Sequence, residues 1–269
     1  MTTRGIYFIA NDAIRELTIA FLNSVRTFEP QIPICFIPYD DHCEQVVGLQ
    51  STYDFTVWAE HSALRWCDAI SERFHGTALG QYRKLATWNG SFEQFVYFDA
   101  DTVLLSGLDL IFGLLKEHDI LAATSDNPAN RKFVWKDSLP PEPGFDSAYA
   151  ASTGVLASKQ GLFTRAEIDR RVEAALPYAG HMELACAEQA FLNYMIVTSG
   201  KRYSSIRQAA RETNRRYIPQ HVWSGRFQGD LLTMADPVLA IHWAGEWQRG
   251  EHRRSPLWRY FRYLRDECR

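Results

Sequence analysis

Cysteine is scarce and unpatterned in this chain of 269 residues: Cys35, Cys43, Cys67, Cys186 and Cys268 form an odd set with no C-x-x-C. Such spacing indicates neither a disulfide framework nor a zinc site, and a reducing cytoplasm is the expected compartment. Net charge is small, at -3, which argues against nucleic acid as a partner. The N-terminal apolar run, Ile6 to Ala10, stops at Asn11-Asp12, too short for a signal-peptide core or a bilayer span. Internal repeats, low-complexity tracts and linkers are missing, so one folded unit over 1–269 is expected. No glycine-rich phosphate loop follows the first apolar run, which disfavours a nucleotidyltransferase.

What remains is a soluble, globular composition, 46% apolar and 23% charged. A chain of this length buries roughly 70–75% of its unfolded surface. Eight Trp and twelve Tyr suit either a sugar-binding cleft or a well-filled core.

Apolar runs at Gly5–Ala10, Ile34–Ile37, Asp54–Trp58 and Phe95–Phe98 read as strands. Between them lie a helix carrying Ile14, Leu17, Phe21 and Leu22, which Asp12 is placed to cap, and helical stretches Ser62–Phe74 and Leu79–Trp88. Strand–helix alternation predicts an α/β fold with a mostly parallel sheet covered on both faces. Ligands of such sheets bind beyond the carboxyl ends of the strands. Further on, the pattern predicts a helix Leu108–Leu115, strands Asp119–Thr124, Tyr149–Ala157 and Val238–Trp243, and helices Gln160–Ala175 and Ala185–Val197. Asp126–Ser147, with four prolines, reads as a long irregular loop, expected to be mobile and to close over a bound ligand. Lys201–Arg216 is strongly basic, and from Pro256 a short aromatic and basic helix closes the chain.

The chemistry concentrates at Phe95-Val96-Tyr97-Phe98-Asp99-Ala100-Asp101. A buried strand ending in two aspartates needs a partner for them, because an unpaired buried charge is costly. Two carboxylates one residue apart can hold one Mg²⁺ or Mn²⁺ that also grips a diphosphate; the plain alternative is a solvated strand-end turn. His242, straight after an apolar run, offers an imidazole to the same ion, and Gly245 permits close backbone approach to a phosphate. Lys84 can reach such a phosphate or be an ordinary solvated lysine. Glu188-Gln189 opens an apolar helix and can present a carboxylate or amide to a reacting carbon.

In order, the motifs are Ala10-Asn11, Tyr82-Arg83-Lys84-Leu85, Asp99-Ala100-Asp101, Ser152-Thr153-Gly154, Glu188-Gln189-x-x-Leu192-Asn193 and His242-x-x-Gly245. This series resembles the GT-A nucleotide-sugar glycosyltransferases, most closely glycosyltransferase family 8, from Ile6 to about Trp247. The resemblance implies a Rossmann-like GT-A fold with a short helical tail, and metal-dependent, retaining transfer of a sugar from a UDP-sugar to an acceptor hydroxyl. It implies Asp99, Asp101 and His242 as ligands of Mn²⁺ or Mg²⁺, and Ala10, Asn11 and Asp12 as the uridine loop. Lys84, Ala100, Ser152, Gly154 and Gly245 fall at donor-contacting positions, and Lys84, Glu188 and Gln189 near the anomeric carbon. It also implies a nucleotide-binding part over about 1–105, an acceptor part over 106–247 and a tail over 248–269. Where the family often has Asn-x-Gly, this chain has Ser152-Thr153-Gly154; where it has a lysine after the last glycine motif, this chain has Gln248, with Arg249 or Arg253 as substitutes. The acceptor is open: a glycan, a lipid-linked sugar or a small molecule. The acceptor side is expected in 126–147 and around Arg211–Arg216.

Two rival readings stand beside it. Asp99-x-Asp101 also resembles the first motif of haloacid-dehalogenase-type phosphatases, with Asp99 as nucleophile and Asp101 as general acid. There the motif sits on the first strand of the core; here about a hundred residues precede it. A non-catalytic nucleotide-sugar-binding module is the other. The tail over 249–269 holds seven arginines against three acids, interleaved with aromatics. It fits either peripheral contact with an anionic membrane or, as the preferred reading, a helix packed on the domain by its aromatics.

Overall fold

The computed structural model describes residues 3–123, 128–136, 149–213, 220–223, 238–245, 248 and 250–265. In chain order the elements are β1 (Arg4–Ala10), α1 (Arg15–Phe28), β2 (Ile34–Pro38), α2 (Glu44–Val47), α3 (Gln50–Tyr53), β3 (Thr56–Val57), α4 (His61–His75), β4 (Gln94–Asp99), β5 (Thr102–Leu104), α5 (Asp109–Leu114) and β6 (Ile120–Ala122). They continue with β7 (Val155–Lys159), α6 (Arg165–Ala175), α7 (Gln189–Val197), β8 (Tyr203–Ser205), α8 (Ile206–Glu212), β9 (Gln220–Trp223), β10 (Val238–His242) and α9 (Pro256–Tyr263).

Seven strands form one sheet in the order β3-β2-β1-β4-β7-β6-β8. The four strands of the N-terminal half are parallel, and β7 alone runs against its neighbours β4 and β6. Both faces are covered, so β1 from Ile6 to Ala10 and β4 from Phe95 to Phe98 are apolar without alternation. Tyr7, Ile9, Phe95 and Tyr97 face one core with Phe74 and Phe191. Ile6, Phe8, Val96 and Phe98 face the other with Phe21 and Leu22. This is the expected α/β architecture, with a short C-terminal helix.

A second sheet, β5-β10-β9, stands at the carboxyl end of β4. It is the device that completes the site: β10 pairs antiparallel to β5 with His242 opposite Thr102, and Trp243 N–H donates to the Asp101 carbonyl (2.9 Å). A third core joins this sheet to α1 and α9, with Trp258 and Phe261 buried among Leu17, Val103 and Trp243. The tail is thus packed on the domain by its aromatics, while Tyr260 and Tyr263 stay exposed. Among the described residues no helix is long and apolar enough to cross a membrane.

Several elements differ from expectation. Asp12 does not cap the helix that follows it; its carboxylate accepts from Val46 N–H (3.0 Å) and caps α2 across the loop. Leu79–Trp88 is a run of 3₁₀ turns over Gly80–Asn89 rather than an α-helix. The strand expected at Tyr149–Ala157 begins only at Val155, because Ala151 bonds through both N–H and C=O to the Asn193 side chain (2.7 and 3.0 Å) instead of to a strand. Helix α6 starts at Arg165, where Thr164 accepts from Glu167 N–H, and α7 at Gln189, since Ala187 at φ +52° breaks any earlier start. The basic stretch 201–216 holds β8 and α8, which hydrophobic periodicity does not announce; Ser205 caps α8, its Oγ accepting from Gln208 N–H (2.9 Å). Of the expected loop, 126–127 and 137–147 lie outside the described residues, as do 214–219, 246–247 and 249.

At the far edge, Asp119 ties β7 to β8. It accepts from Lys159 Nζ (2.9 Å) and from Arg202 Nη2, Nε and N–H (2.9, 3.2 and 3.1 Å). Those bonds, Arg202's side chain first, hold its carboxyl well below the usual carboxylate range. The contribution is therefore present above the unfolded-state value of about 3.9 and lost as pH falls towards the lower folded value. Asp119→Asn should lower stability by about 1–3 kcal/mol at pH 7, with the gap to wild type closing below about pH 4. Denaturant midpoints at pH 7 and pH 3 measure it.

Candidate active site

β4 delivers Asp99 and, one turn later, Asp101 to the carboxyl edge of the sheet, and the β5–β10 pairing brings His242 beside them. Ligand-type atoms of Asp99, Asp101 and His242 all lie within 4.8 Å of one another. His242 Nε2 is 3.0 Å from Asp101 Oδ1 and 3.7 Å from Asp99 Oδ2. Tyr97 OH donates to Asp99 Oδ1 (2.6 Å), which leaves Oδ2 turned towards the histidine. Burial disfavours a charge on His242, yet Asp101 and then Asp99 overcome this and raise its pKa above the ordinary histidine value. Burial likewise works against the Asp99 carboxylate, but Lys84 and His242 hold its pKa below the usual value.

Two carboxylates and an imidazole converging from three sides form a donor set suited to Mn²⁺ or Mg²⁺, and their fit is tight. Gly154 shows how tight: a Cβ there would lie 2.5 Å from His242 Cε1 and 2.9 Å from Asp99 Oδ2. The glycine is required because the antiparallel strand β7 starts directly against the cluster, its carbonyl accepting from Asp99 N–H (2.8 Å).

Lys84 is not a solvated lysine. Its side chain is 2% exposed, and its ammonium pairs closely with Glu188, donates to the Thr153 carbonyl (3.2 Å) and lies 3.6 Å from Asp99 Oδ1. Tyr97 presents its ring face to it at 4.6 Å. Burial lowers its pKa, but Asp99 and Glu188 more than restore it, so the ammonium stays charged. Glu188, equally buried, also accepts from Thr153 Oγ1 (2.7 Å). Gln189 opens α7 with its Oε1 on Thr153 N–H (3.2 Å) and its Nε2 on the Phe133 carbonyl (2.9 Å).

These groups line a cleft of about 370 Å³, together with Ser152, Gly154 and Gly245, the last at φ +70°. A second cleft of about 320 Å³ shares Asp99 and Asp101 with it and extends past Ala100 to Asn11, Ile14 and Tyr39. Asn11 lines that cleft and donates to Asp40 (2.8 Å). Ala10 is fully buried in β1, and Asp12 is engaged with α2. Of the candidate phosphate cations, Arg253 is exposed on the surface, and Arg249 lies outside the described residues.

Sequence reasoning misses Thr153, which contacts Lys84, Glu188 and Gln189 at once, and Tyr97, which orients Asp99; both sit within quoted motifs but carry no signal of their own. It also misses Phe133, an exposed aromatic at the cleft rim. Gly154→Ala should cost about 1–3 kcal/mol by overpacking the cluster, read as a lower thermal midpoint, and by more than Gly113→Ala, where a Cβ meets nothing.

No protein-family model matches this chain, and no curated protein matches it in sequence. Solved structures do. The galactosyltransferase LgtC, in complex with donor and acceptor sugar analogues, superposes with a TM-score of 0.54 at 14% identity, covering 90% of this chain and 87% of that one. Mouse xyloside xylosyltransferase 1, in its apo form, gives 0.55 at 11% identity over 89% and 96%. The bifunctional glycosyltransferase WbbM gives 0.55 at 13% identity over 91% of this chain and 46% of its own. At such identities the likeness is one of architecture: this chain has the GT-A fold of these glycosyltransferases.

Proposed function

We propose that this protein is a glycosyltransferase that moves a sugar, with retention, from a UDP-sugar to an acceptor hydroxyl and uses Mn²⁺ or Mg²⁺. The observation that carries the reading is the convergence of Asp99, Asp101 and His242 at the junction of two clefts, with Lys84 and Gln189 alongside. Asp99, Asp101 and His242 would hold the ion, which when bound supplies positive charge to a departing diphosphate. The cleft past Asn11 and Tyr39 would receive the nucleoside, and the cleft beside Gln189 and Phe133 the transferred sugar and acceptor.

The chain's own contributions follow from the contacts. Lys84, held charged in a buried place, adds electrostatic stabilisation where negative charge grows on the leaving phosphate. Gly154 leaves room for the metal-ligand cluster and Gly245 for close approach of the donor. The Gln189 amide is fixed at both ends and partly exposed, so it faces developing oxocarbenium character without a rotamer search. Besides the metal pair, Glu188 is the one carboxylate among the described residues lining this cleft, and it is buried against Lys84 and Thr153. That arrangement favours attack by the acceptor on the face the diphosphate leaves over a covalent enzyme–sugar intermediate. It also disfavours a phosphatase, since Asp101 is engaged by His242 rather than open to act as a general acid.

Thermal-shift screening of UDP- and GDP-sugars with and without Mn²⁺ tests the donor: the midpoint should rise with a UDP-sugar, and only with metal present, as ligand linkage requires. Asp101→Ala should lower turnover by about 100-fold or more, and full turnover in EDTA would refute the metal role. With Trp258 and Phe261 buried in the domain, the tail should bind anionic vesicles only weakly and lose them at high salt; co-sedimentation decides.

A further inference from the structure

Lys84 and a divalent cation draw on the same carboxylate. Lys84 Nζ lies 3.6 Å from Asp99 Oδ1, while Asp99 Oδ2 faces His242 in the metal-ligand cluster. A unit positive charge this close to a cation site opposes the ion directly, because the interior screens charges less than water does. What competes with Asp99 for the ammonium is the rest of its pocket. There Glu188 pairs with it more closely than Asp99 does, and the Thr153 carbonyl accepts from it at 3.2 Å. Glu188 is itself anchored by Thr153 Oγ1 (2.7 Å) and by its place at the start of α7, just after the positive-φ residue Ala187.

We infer that Glu188 is a positioning residue that sets the affinity of the metal site by holding Lys84 off Asp99. The inference rests on the metal-dependent reading above. Glu188 offers the ammonium a closer partner than Asp99, leaves Asp99 Oδ2 free to ligate, and keeps Lys84 poised for the donor phosphates. Metal and donor binding then reinforce each other: an ion on Asp99 turns Lys84 further towards Glu188 and the donor, and donor phosphates draw Lys84 away from Asp99.

The test is Mn²⁺ affinity, measured by the loss of the free-ion EPR signal on titration into full-length protein without nucleotide. Glu188→Gln should bind Mn²⁺ about tenfold more weakly, because Lys84 then turns to Asp99, and Lys84→Met should bind it about tenfold more tightly while turnover falls. Glu188→Asp keeps the charge and shortens the reach, so it separates a held lysine from a simple through-space effect. It should weaken Mn²⁺ binding severalfold in the wild-type background and leave it unchanged in Lys84→Met. Glu188→Gln at wild-type affinity, or Glu188→Asp acting equally in both backgrounds or in neither, would overturn the inference. Wild-type protein with no measurable Mn²⁺ binding would instead overturn the metal-dependent reading itself. Glu188→Asp retains a buried pair for Lys84 and so remains available should Glu188→Gln not fold, its effect across the two backgrounds deciding alone.

Discussion

Three carboxylates, a lysine and a histidine share a few ångströms at the carboxyl end of β4, and the rest of the structure is arranged around keeping them together. Each such charge removed from water costs several kcal/mol unless a partner compensates. Asp99 is met by Lys84 and Tyr97, Asp101 by His242, and Glu188 by Lys84 and Thr153. No member can be removed without leaving another exposed to that cost, which makes the cluster a unit rather than a set of independent side chains.

The two sheets divide the work of assembling it. The large sheet is a rigid, doubly covered platform whose parallel half points Asn11 and Asp99 the same way. The reversed strand β7 brings Thr153 and Gly154 to the cluster from its own N-terminal end, because an antiparallel neighbour starts where β4 finishes. The small sheet then supplies His242 by register, residue against residue, from near the C-terminus. Polar groups thus arrive from three directions, and only the absence of a side chain at Gly154 allows all of them to fit.

Much of this was legible along the chain. Apolar runs ending in Asn11 and Asp99 marked both the strands and the edge where ligands bind, since β-strands of a covered parallel sheet are apolar on both faces and carboxylates there need a reason. Helix starts were less legible. Ala187 adopts a positive φ that its side chain does not advertise, and Ala151 bonds to a side chain far along the chain, so α7 and β7 both begin later than periodicity implies. The 201–216 stretch shows the converse, a strand and helix hidden by their charges and found only in the folded chain.

The sequence by itself determined the layered α/β architecture, the aspartate pair at a strand end and the glycines around it, because these depend on residue type and short-range spacing. Only the tertiary structure decided that Lys84 is buried and charged, that Glu188 in the cleft wall pairs with that lysine, that Asp12 caps α2, and that Thr153 joins them. The reason is that a charge's state depends on which charges surround it in space. For Lys84 those are Asp99, Glu188 and the Thr153 carbonyl, groups that come from three different parts of the chain and meet only when the sheet has formed.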